Sequence, residues 1–177
     1  MSVFIKNIFR FAIFILVQVY ILNMVELHRF ITPYLYYLFI LWLPFSISRF
    51  GLMLAAFLLG LTLDYFPPIT PGLHAAACVL IAFFRPYVIS ILTPKEFSEF
   101  SYREPSARAM GWRPYIVYAL ILTLFHHGYM VFLEWLSFGS FIDFILKMIG
   151  TTGISLLMII TVELLFPRQL KFRTNTP

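Results

Sequence analysis

The stretch Gly60-Leu61-Thr62-Leu63-Asp64-Tyr65-Phe66-Pro67-Pro68-Ile69-Thr70-Pro71-Gly72-Leu73-His74-Ala75-Ala76-Ala77-Cys78 decides how this chain is read. An apolar run ends on a carboxylate, three prolines and a glycine make a return, and a second apolar run begins at once. Proline has no amide hydrogen with which to continue a helix, and glycine accepts backbone angles closed to other residues, so the stretch predicts two helices joined by a tight turn. Asp64 closes the first helix, where it accepts backbone hydrogen bonds from the turn. His74 opens the second, within reach of the turn or of Asp64. Upstream, Gly51, Ala55, Ala56 and Gly60 recur at a spacing that lets helix backbones approach closely in lipid, and Gly72, Ala75, Ala76 and Ala77 continue the pattern.

Composition shows why lipid is the relevant solvent. Of 177 residues, 61% are hydrophobic and 12% charged, with a mean hydropathy of +0.89, too little polar surface to cover a water-soluble globule. Aromatic residues at 19% exclude a disordered chain. The single cysteine, Cys78, excludes an internal disulfide, and no Cys/His cluster has metal-ligand spacing. A net charge of +5 in such a chain records topology rather than a nucleic-acid partner.

Working outward from the turn, apolar stretches run over about 11–25, 34–47, 50–63, 73–92, 115–135 and 142–166. They predict an all-α integral membrane protein built as a six-transmembrane-helix bundle in one domain. Lys6 and Arg10 precede the first stretch as in a signal peptide, but no small-residue cleavage site follows Val25, so it is expected to remain as an anchor. The second and third stretches are short against the ~20 residues of a spanning helix. One helix over both would bury Arg49 near the bilayer centre at roughly 3 kcal/mol, so two are expected. With a cytoplasmic N terminus, six spans place Lys6, Arg10, Arg49, Arg85, Lys95, Arg103, Arg108, Arg113, Arg168, Lys171 and Arg173 inside, 11 of the 13 basic residues. Only Arg29 and Lys147 remain outside, so both termini are expected in the cytoplasm. The polar connection 93–113 is then a cytoplasmic loop. Its Phe97, Phe100 and Tyr102, interleaved with charges, fit a headgroup-level docking segment and a solvated connector equally well.

Ionisable groups within apolar spans are functional candidates by default. Asp64 and His74 read as a structural pair at the turn. His126 and His127, adjacent on a helix, point about 100° apart and make a poor metal pair. His127 and Glu134, seven apart, share a face on which a polar group of another helix can bridge them. Arg85 and Glu163 approach the inner ends of their helices, where they pair or reach the headgroups. No paired catalytic carboxylates, Ser/His/Asp set or phosphate-cradling glycine loop occurs. The residues therefore predict neither an enzyme nor a cofactor.

The segment Gly60-Leu61-Thr62-Leu63-Asp64, a turn, then Gly72-Leu73-His74-Ala75-Ala76-Ala77 resembles the signature of MreD, the rod shape-determining membrane proteins of bacteria. The likeness extends to chain length, basic N terminus, short second and third spans, charged inner loop and short basic tail. His74-Ala75-Ala76-Ala77-Cys78 and Phe84-Arg85-Pro86 are similar to Bacteroidetes-type versions. The resemblance implies a non-enzymatic scaffold of the cell-elongation machinery in the inner membrane. It implies binding to the bitopic protein MreC and coupling of MreB filaments to peptidoglycan synthases, a glycosyltransferase and a class B transpeptidase; a homodimer is compatible with it. It also implies a fold similar to the S components of energy-coupling-factor vitamin transporters, so a substrate-binding transport subunit is the alternative. The structural and interaction candidates are Gly60, Asp64, Gly72, Leu73, His74, Arg85, His127 and Glu134.

Overall fold

A computed structural model of the chain describes residues 3–25, 31–66, 71–93, 104–138 and 140–166, and within these not the side chains of residues 3, 4, 134, 137 and 138. Among the described residues the regular elements are helices: α1 Val3–Tyr20, a short 3-10 turn at Leu22–Met24, α2 Leu38–Trp42, α3 Arg49–Asp64, α4 Leu73–Leu92, α5 Ala107–Met110, α6 Trp112–Phe138 and α7 Phe141–Leu165. Four segments are long and apolar enough to cross a membrane, Ile5–Met24, Leu73–Leu92, Trp112–Leu133 and Phe141–Leu165. Their outward surfaces are apolar too, as on α1 at Ile8, Phe9, Ile13 and Leu16 and on α7 at Ile142, Leu146 and Ile149. Such faces suit acyl chains.

The helix expected over 34–47 is corrected to five residues, Leu38–Trp42. Pro44 gives the physical reason for its end, because a residue before proline is pushed out of the helical region and Leu43 sits at φ −59°, ψ 148°. The flanking backbone is not left bare, however. Gln18 of α1 donates to the Pro33 carbonyl (3.1 Å) and accepts from the Leu35 amide (2.9 Å). The Tyr34 amide donates to Ser155 Oγ of α7 (3.1 Å), the Tyr118 hydroxyl to the Leu41 carbonyl (3.0 Å), and the Arg85 guanidinium to the Leu43 carbonyl. Irregular backbone inside lipid survives only where protein satisfies it, and here the neighbouring helices do so. Residues 35–43 are all buried.

This segment runs antiparallel to its neighbours. Against α6 it pairs Tyr36 with His126, Tyr37 with Thr123, Leu41 with Tyr118 and Trp42 with Tyr115. Against α1 it runs from Gln18 at residues 33 and 35 back to Phe14 and Arg10 at Trp42. Over residues 36–42 it thus follows α6 for eleven residues, about 16 Å of helix rise. α3 and α4 form the antiparallel hairpin expected from the turn. α4 packs on α6 through the stacked rings of Phe84 and Phe125 (4.6 Å), and α6 on α7 through Trp135 and Phe144 (5.8 Å).

The connection before α6 also differs from a free loop. Residues 105–107, 109 and 110 are buried, and Glu104 bonds Arg10 (2.8 Å) and Lys6 (3.3 Å) of α1. Ser106 Oγ caps α5 by accepting from the Ala109 amide (3.0 Å), and Glu163 accepts from the Ala107 amide (2.9 Å). The expectations for residues 94–103, for Arg29 and for the tail from Arg168 lie outside the described residues.

Candidate functional site

The turn between α3 and α4 is a helix cap supplied from the preceding helix. Gly72 is the N-cap residue of α4 with φ +84°, a left-handed conformation that side chains disfavour, and as glycine it has no side chain with which to cap. An N-cap side chain normally accepts from the second and third amides of its helix. Here Asp64, the last residue of α3, accepts both bonds in its place, with Oδ1 taking the His74 amide (2.9 Å) and Oδ2 the Ala75 amide (3.1 Å). Oδ1 also meets His74 Nδ1 at 2.9 Å. A carboxylate at a helix N-terminus gains further from the macrodipole. The borrowed cap works because the hairpin closes tightly. A Cβ placed on Gly60 would lie 2.3 Å from Ala75 Cα and 2.5 Å from both the Ala75 nitrogen and the His74 carbonyl oxygen. Leu73 seals the start of α4 against Met130 and Ala77.

Asp64→Asn tests the cap. The carboxylate serves three donors, and an amide would turn its NH2 towards at least one of them. We expect a loss of about 1–3 kcal/mol, the cost of one unmet buried donor, read as a lower thermal midpoint in detergent. An unchanged midpoint would remove Asp64 from the cap.

Behind the cap lies a cluster in which His127 is one member. His126 and His127 are fully buried. Their expected divergence along the helix does not keep the rings apart, because the side-chain torsions bring the two Nδ1 atoms to 3.3 Å. His127 Nδ1 lies 3.0 Å from the Thr123 carbonyl, which can only accept, so this nitrogen carries the proton. With one proton per ring, His126 Nδ1 accepts, and His126 Nε2 donates to the Tyr36 hydroxyl (2.7 Å), which donates onward to Met130 Sδ (3.7 Å). His127 Nε2 accepts from Ser155 Oγ (3.1 Å), which itself accepts from the Tyr34 amide. Ser155 is a polar group of another helix bonded to His127; the expected bridge onward to Glu134 falls on a side chain outside the described residues. Tyr37 stacks on His126 at 4.5 Å and bonds Thr123 (3.0 Å). The bonds close on the irregular segment, so the cluster fastens residues 34–37 between α6 and α7.

Arg85 and Glu163 do not pair, a correction to the expected ion pair or headgroup contact. Arg85 Nε donates to the Tyr118 hydroxyl (3.0 Å) and its terminal nitrogen to the Leu43 carbonyl. It therefore sits inside the bundle and leaves the set of inner-surface charges. Its 2% exposure excludes snorkelling. Glu163, also buried, faces α5 instead.

Sequence reasoning missed Gln18, Tyr118 and Ser155, which satisfy backbone groups of the irregular segment, and Tyr36, Tyr37 and Thr123, whose side chains bond around it. A glutamine within the first apolar stretch, 11–25, was the one visible signal. Among the described residues no three His, Cys, Asp or Glu side chains converge as a metal-binding group. Comparisons of the chain with protein-family models, with curated proteins and with solved structures found no match.

Proposed function

We propose that this chain is a non-enzymatic membrane scaffold of the bacterial cell-elongation machinery, an MreD-type protein that binds MreC and links MreB filaments to peptidoglycan synthases in the inner membrane. The observation that carries the reading is the Gly60–Asp64–Gly72–His74 unit. The residues on which the resemblance rests are packed and bonded to one another as a single turn, rather than scattered over the chain. The wider resemblance is topological. Six passes, with both termini cytoplasmic, are supported by the antiparallel order of α1, segment 33–43, α3, α4, α6 and α7, and by the basic residues at the end of the bundle where α1 starts. The second pass would then be a buried irregular segment rather than a helix of full length.

The alternative, a substrate-binding transport subunit, would draw on the polar side chains around residues 34–37. Those groups are bonded to one another and to backbone, which supports a fastening better than a ligand site.

The test is replacement in a rod-shaped bacterium depleted of its own MreD. The chain is expected to restore rods and to retain MreC on a tag, and a phosphatase fused after Thr176 should be inactive. Round cells despite normal accumulation and insertion would reject the scaffold reading. An active phosphatase would reject the six-pass order.

A further inference from the structure

At the end of the bundle where α1, α3 and α6 begin, the described acids are already engaged. Glu104 holds Lys6 and Arg10, and Glu163 is buried against the Ala107 amide. Arg49, Arg108 and Arg113 remain exposed, and none of the three makes an ion pair among the described residues. Arg49 is the first residue of α3 and Arg113 the second of α6, and neither helix has an acid in its first turn. A cation there opposes the positive end of the helix dipole, so the fold concentrates positive potential at this end, with no acid among the described residues paired to these three arginines. Apolar side chains accompany the charges: Arg49 lies over the Tyr87 ring at 5.5 Å, and Phe50, next to Arg49 in sequence, Trp112, next to Arg113, and Ile91, one turn beyond Tyr87, are exposed. The adjoining segments 94–103 and 167–177 add five basic residues and two acidic ones in sequence.

We propose that this rim, centred on Arg49 and Tyr87 and extended by Arg108, Trp112 and Arg113, is a docking surface for anionic phospholipid headgroups. The occupant follows from charge and depth together. Phosphate oxygens complement the guanidinium groups and the helix N-termini. The apolar side chains belong at the boundary between headgroup and acyl chain, where a lipid satisfies both halves and a water-soluble acidic segment satisfies only one. The proposal rests on the transmembrane character of the chain and is independent of the scaffold reading.

The full chain, purified in mixed micelles holding equal phosphatidylglycerol and phosphatidylcholine, is delipidated stepwise, and the retained lipids are counted by mass spectrometry. Phosphatidylglycerol should be retained preferentially. That preference should fall about fivefold for each of Arg49→Gln and Arg113→Gln, while Arg49→Lys and the distant Lys147→Gln preserve it. Equal retention of the two lipids overturns the proposal, as does a preference unchanged in R49Q/R113Q. So does capture of an acidic protein segment without any phosphatidylglycerol preference. If the double variant fails to accumulate, the wild-type chain decides alone, since a preference insensitive to raised salt would also overturn it.

Discussion

Gly60→Ala should be among the most damaging single-methyl changes in this protein, with a loss of at least about 3 kcal/mol and a sharp fall in accumulated protein. The new Cβ would stand 2.3 Å from Ala75 Cα and 2.5 Å from the Ala75 nitrogen and the His74 oxygen. All three are backbone atoms, so no rotamer change makes room and the two helices must separate. Asp64 lies one turn further along the same face of α3, and its bonds to the His74 and Ala75 amides lengthen with that separation. Overpacking and loss of the cap therefore act together, because they share one movement. The second-site variant Ala75→Gly should not rescue Gly60→Ala, since it removes none of the three clashing atoms. Thermal unfolding in detergent checks both statements. Rescue by Ala75→Gly, or a midpoint indistinguishable from wild type, would mean that the hairpin is looser than these distances require.

The hairpin was legible in the sequence because its signals are local. Prolines, Gly72 and Asp64 act within a few residues, and α4 spans Leu73–Leu92 with the limits read from hydropathy. The segment 34–47 was not legible as an irregular pass. Its composition is that of a buried helix, and hydropathy measures burial without registering how backbone groups are satisfied. What breaks it is a proline at one end and a set of partners from α1, α4, α6 and α7, which lie between 15 and 121 residues away. The same distance hid the role of Arg85. Its position near the end of α4 suggested the headgroups, but the carbonyl it serves belongs to a residue 42 positions earlier in the chain. His127 was legible in part: its inward face followed from helical spacing, whereas its closeness to His126 depends on torsions that spacing does not report.

Arg85→Lys is expected to harm the protein more than Arg85→Met, although lysine keeps the charge and methionine abolishes it. The guanidinium reaches two acceptors at once, the Tyr118 oxygen through Nε and the Leu43 carbonyl through a terminal nitrogen, at the end of α2 where the C-terminal dipole favours a cation. A lysine ammonium is a single nitrogen and cannot occupy both donor positions. It leaves a charge inside the bundle with fewer bonds, a situation that costs about 3–5 kcal/mol. Methionine fills comparable space and carries no charge. It leaves the Leu43 carbonyl without that donor, at about 1–3 kcal/mol, and the Tyr118 hydroxyl keeps its bond to the Leu41 carbonyl. Part of even that loss is offset, because an arginine within a membrane span is itself costly to insert, up to about 3 kcal/mol at the span's centre. The order wild type, Met, Lys in thermal midpoint and in membrane accumulation therefore separates a hydrogen-bonding clamp from a required charge. If lysine preserves the fold and methionine destroys it, the positive charge itself is what α2 needs, and the clamp description of Arg85 is wrong.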